Sequence, residues 1–103
     1  MGIETQQSIG DWADQAFGLA YDNARVAARA NEEMAELLRA ATTEHDADKL
    51  IEEAADVIIV LYRLAHINGV DLNDAIDKKM ARNRLRVWKQ DGTGHGYHIR
   101  DKS

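Results

Sequence analysis

Two short acidic patterns carry the most chemistry in this sequence: Glu33-x-x-Glu36 within NEEMAELL and Glu53-x-x-Asp56 within EEAADVII. A three-residue step on an α-helix returns a side chain to nearly the same side, so each pair presents its carboxylates from one face. Between the pairs lies TTEHD, polar and short enough to turn the chain between two antiparallel helices. Glu36 and Glu53 are equally far from the midpoint between residues 44 and 45, and so are Glu33 and Asp56. A hairpin in this register is predicted to converge all four carboxylates on one small volume. Like charges at contact raise each other's pKa and oppose folding, and isolated Glu residues usually stay solvated for that reason. The mirrored register, with Asp56 interrupting an apolar run, favours compensation by a bound cation. An all-oxygen set without Cys or His suits a hard divalent ion, Mg²⁺ before Zn²⁺.

The elements that must position these groups follow from periodicity. Residues 4–17 read as a first helix with Ile9, Trp12, Ala13 and Ala16 or Phe17 on one side; Gly10 weakens it and Gly18 marks its exit. A second helix begins near residues 20–23, where Asp22 or Asn23 can cap it, and runs to about Ala41. Its apolar stripe is Val26, Ala30, Met34, Leu37 and Ala41, with Glu33 at the stripe's edge and Glu36 just outside. The third helix starts near Asp46 or Asp48 and extends to about Ile67; being apolar nearly all round from Ala54 to Leu61, it is expected to be the most buried. Tyr62 and His66 show no partner in the sequence and read as packing or surface residues. Asn68-Gly69 is a stop, and a fourth helix capped by Asp71 is expected from Leu72 to about Trp88. Its later half sets Lys79, Asn83 and Arg86 on one helical face, a surface suited to phosphate. The tail DGTGHGYHIR, with three glycines, lacks the ending of a P-loop and is expected as a flexible end, a flap or an arm over a neighbouring subunit.

Composition bounds the rest. A chain of 103 residues, 45% hydrophobic, supports one modest core, divided here into a helical domain (1–90) and a Gly-rich tail (91–103). No Pro and a single Phe beside abundant Ala, Leu, Glu and Arg favour an all-α fold: a four-helix chain built on a central antiparallel hairpin. Such a chain cannot cover its third helix alone, so a homodimer or higher homo-oligomer with a shared helical bundle is expected. The absence of Cys excludes thiolate chemistry, and with no signal-like or membrane-length run a cytoplasmic location is expected, with no membrane partner. Residues 1–77 carry 5 basic and 16 acidic side chains, residues 78–103 carry 8 and 2. An acidic body with a basic end suits a metal and a polyphosphate, and argues against a broad nucleic-acid footprint.

EEMAEL, followed at this spacing by EEAADVIIVL and then by KKMARNRLRVW, resembles the MazG-like all-α nucleoside triphosphate pyrophosphohydrolases, over roughly residues 6–98. The family signature is ExxE, a spacer of one to two dozen residues, then ExxD; here the spacer is residues 37–52. The resemblance implies hydrolysis of a (d)NTP to (d)NMP and pyrophosphate, with Mg²⁺, or Mn²⁺ in its stead, on Glu33, Glu36, Glu53 and Asp56. Glu32 beside that set is a candidate outer ligand-supporting group or general base, or a plain surface acid. The family's K…N..R.W pattern falls on Lys79, Asn83, Arg86 and Trp88, assigning them to substrate. Trp12, a core or interface residue by its spacing, becomes under the resemblance the candidate for stacking on the base. A phosphoribosyl-ATP pyrophosphohydrolase-like enzyme shares the architecture, and a catalytically silent helical interaction or antitoxin-type dimer is the non-enzymatic alternative. A ferritin-like di-iron bundle is disfavoured because its Glu-x-x-His pairs are missing.

Overall fold

The computed structural model describes residues 2–43 and 45–99. Four helices come first: α1 (Gln6–Phe17), α2 (Asn23–Thr43), α3 (Ala47–Ile67) and α4 (Leu72–Leu85), followed by strands β1 (Val87–Gln90) and β2 (Gly96–Ile99). The fold class is all-α, as the composition predicts. The chain divides between Leu72 and Asn73 into two compact units, described here in turn.

In the first unit, each helix starts where a side chain can take up orphan N–H groups. Thr5 accepts from the Ser8 N–H while the Ser8 hydroxyl accepts from the Thr5 N–H, closing α1 with a reciprocal cap. Asp22 accepts from the N–H groups of Ala24 and Arg25 ahead of α2. Asp46 accepts from those of Asp48 and Lys49 and is the cap of α3, which decides between the two candidates in the sequence. The helices α2 and α3 pack as the expected hairpin, the most extensive pairing in the chain, and α1 lies against α3. Of the turn itself, Glu44 lies outside the described residues.

Polar ties secure the end of the hairpin remote from its turn. Asn68 Nδ2 donates to Asn23 Oδ1 at 2.8 Å, joining the exit of α3 to the entry of α2. Gln6 accepts from the Leu72 N–H and donates to the Val70 carbonyl, so α1 stabilises the chain leaving α3. His66 has a partner after all: its Nε2 stands 3.4 Å from Asp14 Oδ2, and its ring fills the space over Gly10. A Cβ at position 10 would collide with that imidazole, so the glycine that weakens α1 locally is what lets α1 approach α3.

The apolar core is small. Among the described residues, the buried hydrophobic side chains are Ala13, Val26 and Ala40, and no large side chain is fully buried. The helix α3 is covered over more of its length than the others, half-buried almost continuously from Val57 to Ile67, as its apolar run predicts. None of its residues is fully buried, however, and Ile51 and Ile58 are exposed, as are Met34 and Leu38 on α2. Asp56 is likewise exposed rather than enclosed by its apolar neighbours. One face of α3 is covered by α1 and α2, whereas a side chain on the opposite flank has no element of this unit to meet. No described helix is long and apolar enough to cross a membrane.

The second unit differs from the expectation. The helix α4 ends at Leu85, three residues short of Trp88, so Arg86 lies beyond it and Trp88 stands on a strand. The Arg86 N–H still reaches the Asn83 carbonyl, in a tighter i to i+3 turn that closes the helix. The segment expected as a flexible tail instead pairs back: β1 and β2 are antiparallel, with Val87 opposite Ile99, Trp88 opposite His98, Lys89 opposite Tyr97 and Gln90 opposite Gly96. β-Branched and aromatic residues in VWKQ and GYHI suit strands. The connecting loop needs left-handed backbone at Gly92 (φ 87°) and Gly94 (φ 92°), and Asp91 fastens it by accepting from the Thr93 N–H and hydroxyl.

Candidate active site: a carboxylate cluster beside a cavity

The hairpin register delivers what the spacing predicts for three of the four carboxylates. Glu33 on α2, with Glu53 and Asp56 on α3, each place an oxygen within 4.8 Å of the other two. Opposed ligands on one Mg²⁺ stand roughly 4.2 Å apart at ~2.1 Å each, so small side-chain rotations would close this set on an ion. Glu36 stands outside that group and is exposed, yet it acts on Glu33, to which it is hydrogen-bonded. Glu32 is exposed and pairs with Arg29 at 3.1 Å.

Glu33 is the buried polar residue of the described chain, 8% exposed. Burial raises its pKa above the usual 4.5, the charge of Glu36 raises it further, Arg29 pulls it back, and Asp56 and a hydrogen bond with Glu36 push it up again. Two cations partly offset the cluster, each four residues before a carboxylate on the same helix. Arg29 Nη2 is 3.1 Å from Glu33 Oε1, and Lys49 Nζ is 3.4 Å from Glu53 Oε1. The compensation is incomplete, because Glu53 Oε2 is buried with no hydrogen-bond partner. Three clustered carboxylates, one with a buried oxygen that lacks a hydrogen-bond partner, form a donor set suited to a hard divalent cation.

Glu33 and Asp56 also line a cavity of about 610 Å³ within the first unit. Its lining includes three aromatic rings, Trp12, Phe17 and Tyr21, with Trp12 and Phe17 edge to face at 5.3 Å between centroids. Trp12 therefore stands on this cavity wall, half exposed, rather than in a core. Arg25, Arg29 and Arg63 add positive charge to the lining. A chamber lined by carboxylates, aromatic rings and guanidinium groups has the size and polarity for a nucleotide with its metal ion.

Lys79, Asn83, Arg86 and Trp88 belong to the second unit. Trp88 Nε1 donates to the Asn83 carbonyl at 2.7 Å, and its ring stacks obliquely on His98. Asn83 Nδ2 reaches Met80 Sδ at 3.8 Å. The sequence reading missed Arg29 and Arg63. Their signal was present: Arg29 lies one turn before Glu33 and Arg63 two turns after Asp56, each on the stripe of the carboxylate it follows or precedes.

Fold and cluster define a class, and residues 30–98 match the MazG-like family; the chain belongs to that family. It is 32% identical over 98 residues, 95% of its length, to a dATP/dGTP diphosphohydrolase of Salmonella phage PMBT28, of which the match covers 31%. It is 45% identical over 47 residues to a dATP/dGTP diphosphohydrolase of cyanophage S-2L, covering 46% of this chain and 45% of that protein. The chain thus spans less than half the length of the curated relatives it matches. Among solved structures, the cyanophage S-2L MazG-like pyrophosphohydrolase bound to dGDP and three catalytic Mn²⁺ ions per active site superposes with a TM-score of 0.74. It is 33% identical, over 94% of this chain and 91% of that one.

Proposed function

We propose that this protein hydrolyses purine deoxynucleoside triphosphates to monophosphate and pyrophosphate with a divalent cation. The observation that carries the reading is the cluster of Glu33, Glu53 and Asp56, with its unpartnered Glu53 oxygen, two members of which line an aromatic-walled cavity. The names of the phage relatives and the dGDP and Mn²⁺ of the similar structure support both the purine substrate and the metal. Glu33, Glu53 and Asp56 would hold Mg²⁺ or Mn²⁺, and Glu36 would join them by a change of rotamer. When bound, the cation supplies positive charge to the triphosphate oxygens and lowers the pKa of the attacking water. Arg29, relieved of its pair with Glu33 as the ion takes over that charge, is then placed for phosphate. Glu32, beside it, remains the candidate base. Trp12 offers its ring to the purine.

Lys79, Asn83 and Arg86 are proposed as phosphate ligands on the basic second unit, with Trp88 held by Asn83 as their support. The exposed Met34 and Leu38 on α2 and Ile51 and Ile58 on α3 recur at helical spacing and support a homodimer with a shared bundle. The test is release of pyrophosphate from a panel of ordinary and modified triphosphates with Mg²⁺ or Mn²⁺, phosphoribosyl-ATP included. Turnover of dGTP or dATP to the monophosphate is expected. Silence across the panel, with no metal-dependent rise in melting temperature, would leave the interaction-module alternative standing.

A further inference from the structure

Resting on that reading, we infer that Arg63 reads the base and sets a preference for guanine over adenine. Arg63 is on the cavity wall, on α3, seven residues beyond Asp56. Seven residues return to within ~20° of the same side of a helix and advance roughly 10.5 Å along it. That advance is suited to the span from phosphates beside the carboxylates, across the sugar, to the base. At that depth the guanidinium is fixed from two directions. It lies over the Phe17 ring, 5.4 Å from the centroid, and Nη2 donates to the Gly18 carbonyl at 2.7 Å. Its Nε is buried and has no protein partner, so a ligand in the cavity meets the terminal nitrogens of the guanidinium. A guanidinium held by the Phe17 ring and the Gly18 carbonyl, on the wall of an aromatic chamber, still has N–H donors at those nitrogens for an acceptor brought by a ligand.

The chemistry of the group selects the ligand. Arginine has only donors, so it matches an edge bearing acceptors. Guanine offers two adjacent acceptors, O6 and N7, whereas adenine offers N7 beside an amino donor that opposes the guanidinium. Cytosine presents an amino donor and thymine a single carbonyl, so both match less well. Trp12 supplies a stacking face that any base can use, which leaves the choice among bases to Arg63.

The experiment compares wild type, Arg63→Gln and Arg63→Lys with dGTP, dATP, dITP and 7-deaza-dGTP, reading kcat and KM separately. Calorimetric binding of dGDP and dADP with Mn²⁺ provides a second readout without turnover. Wild type is expected to favour dGTP and dITP, which share O6 and N7, and to lose roughly tenfold in KM with 7-deaza-dGTP. In Arg63→Gln the ratio of dGTP to dATP efficiency should fall by roughly 5–100-fold, and Arg63→Lys, which keeps a donor for O6 and N7, should lie between it and wild type. Equal losses for every base would make Arg63 a clamp on the Gly18 turn and overturn the inference. If the variants do not fold, wild type alone decides, because full activity on 7-deaza-dGTP with equal use of dATP is incompatible with it. If wild type hydrolyses no triphosphate, the enzymatic reading falls separately, and equal affinity for dGDP and dADP would still refute the base preference.

Discussion

The two units of this chain solve opposite electrostatic problems. The first gathers acids: Glu33, Glu53 and Asp56 are drawn together by a helical hairpin and answered only partly by Arg29 and Lys49. The second is rich in Lys and Arg, spread along α4 and a two-stranded hairpin, with its charges displayed to solvent. In the first, like charges are held close by packing and by ties at the far end of the hairpin. In the second, strand pairing joins β1 to β2, and short-range hydrogen bonds such as Trp88 to Asn83 and Thr93 to Asp91 fasten its ends and loop. Concentrated charge needs a bound counter-ion to be tolerable, whereas dispersed charge needs only water until a polyanion arrives.

That contrast can be broken most severely at the cluster. Glu53→Ala or Asp56→Ala is expected to reduce triphosphate turnover by more than the ~10–100-fold typical of a group that merely supports a metal ligand, with helical circular dichroism retained. Full activity in either purified variant would remove the cluster from the chemistry. A smaller effect is expected from the basic unit: Lys79→Ala or Arg86→Ala should raise KM for the triphosphate roughly 10-fold, the scale of one charged hydrogen bond, and leave metal binding unchanged. An unaltered KM would reduce Lys79 and Arg86 to solvated surface cations. The packing that holds the acids together is probed by Gly10→Ala, whose methyl group meets the His66 ring. We expect about 1–3 kcal/mol of destabilisation by chemical denaturation, and a variant as stable as wild type would show that α1 and α3 can separate at no cost.

The finest test uses pH. The folded pKa of Glu33 lies above its usual 4.5, so the folded state binds that proton more tightly than the unfolded chain. Its contribution to the metal-free protein is therefore least favourable above the folded pKa and improves as pH falls toward the ordinary value. The melting temperature of metal-free wild type should fall more steeply with rising pH than that of Glu33→Gln. Added Mn²⁺ should stabilise most at the high end, because it binds the deprotonated carboxylates. Identical pH profiles for the two proteins would show that burial does not strain this acid.

Much of the first unit was legible because its signals are local. Caps at Asp22 and Asp46, the stop at Asn68-Gly69 and the helical periods place α1, α2 and α3 within a few residues of the expected bounds. Where the reading went astray, distant residues decided. Nothing near His66 in sequence announces Asp14, and nothing near Gly10 announces the ring that fills its place. In the second unit, KKMARNRLRVW has helical composition to its end, but strand pairing with GYHI claims Val87 and Trp88 from the helix. Glycines at 92 and 94, read as signs of flexibility, serve the loop that makes this pairing possible.

Sequence alone determined which acids can meet, since a fixed helical pitch and a short turn convert spacing directly into register. It determined the family as well, through that same spacing. Only tertiary structure decided which acid is buried, which three of the four carboxylates come within ligand-sharing distance, and which aromatic and guanidinium groups line the chamber. Burial and pocket shape depend on how helices approach one another in space, and that approach is set by contacts between residues dozens of positions apart.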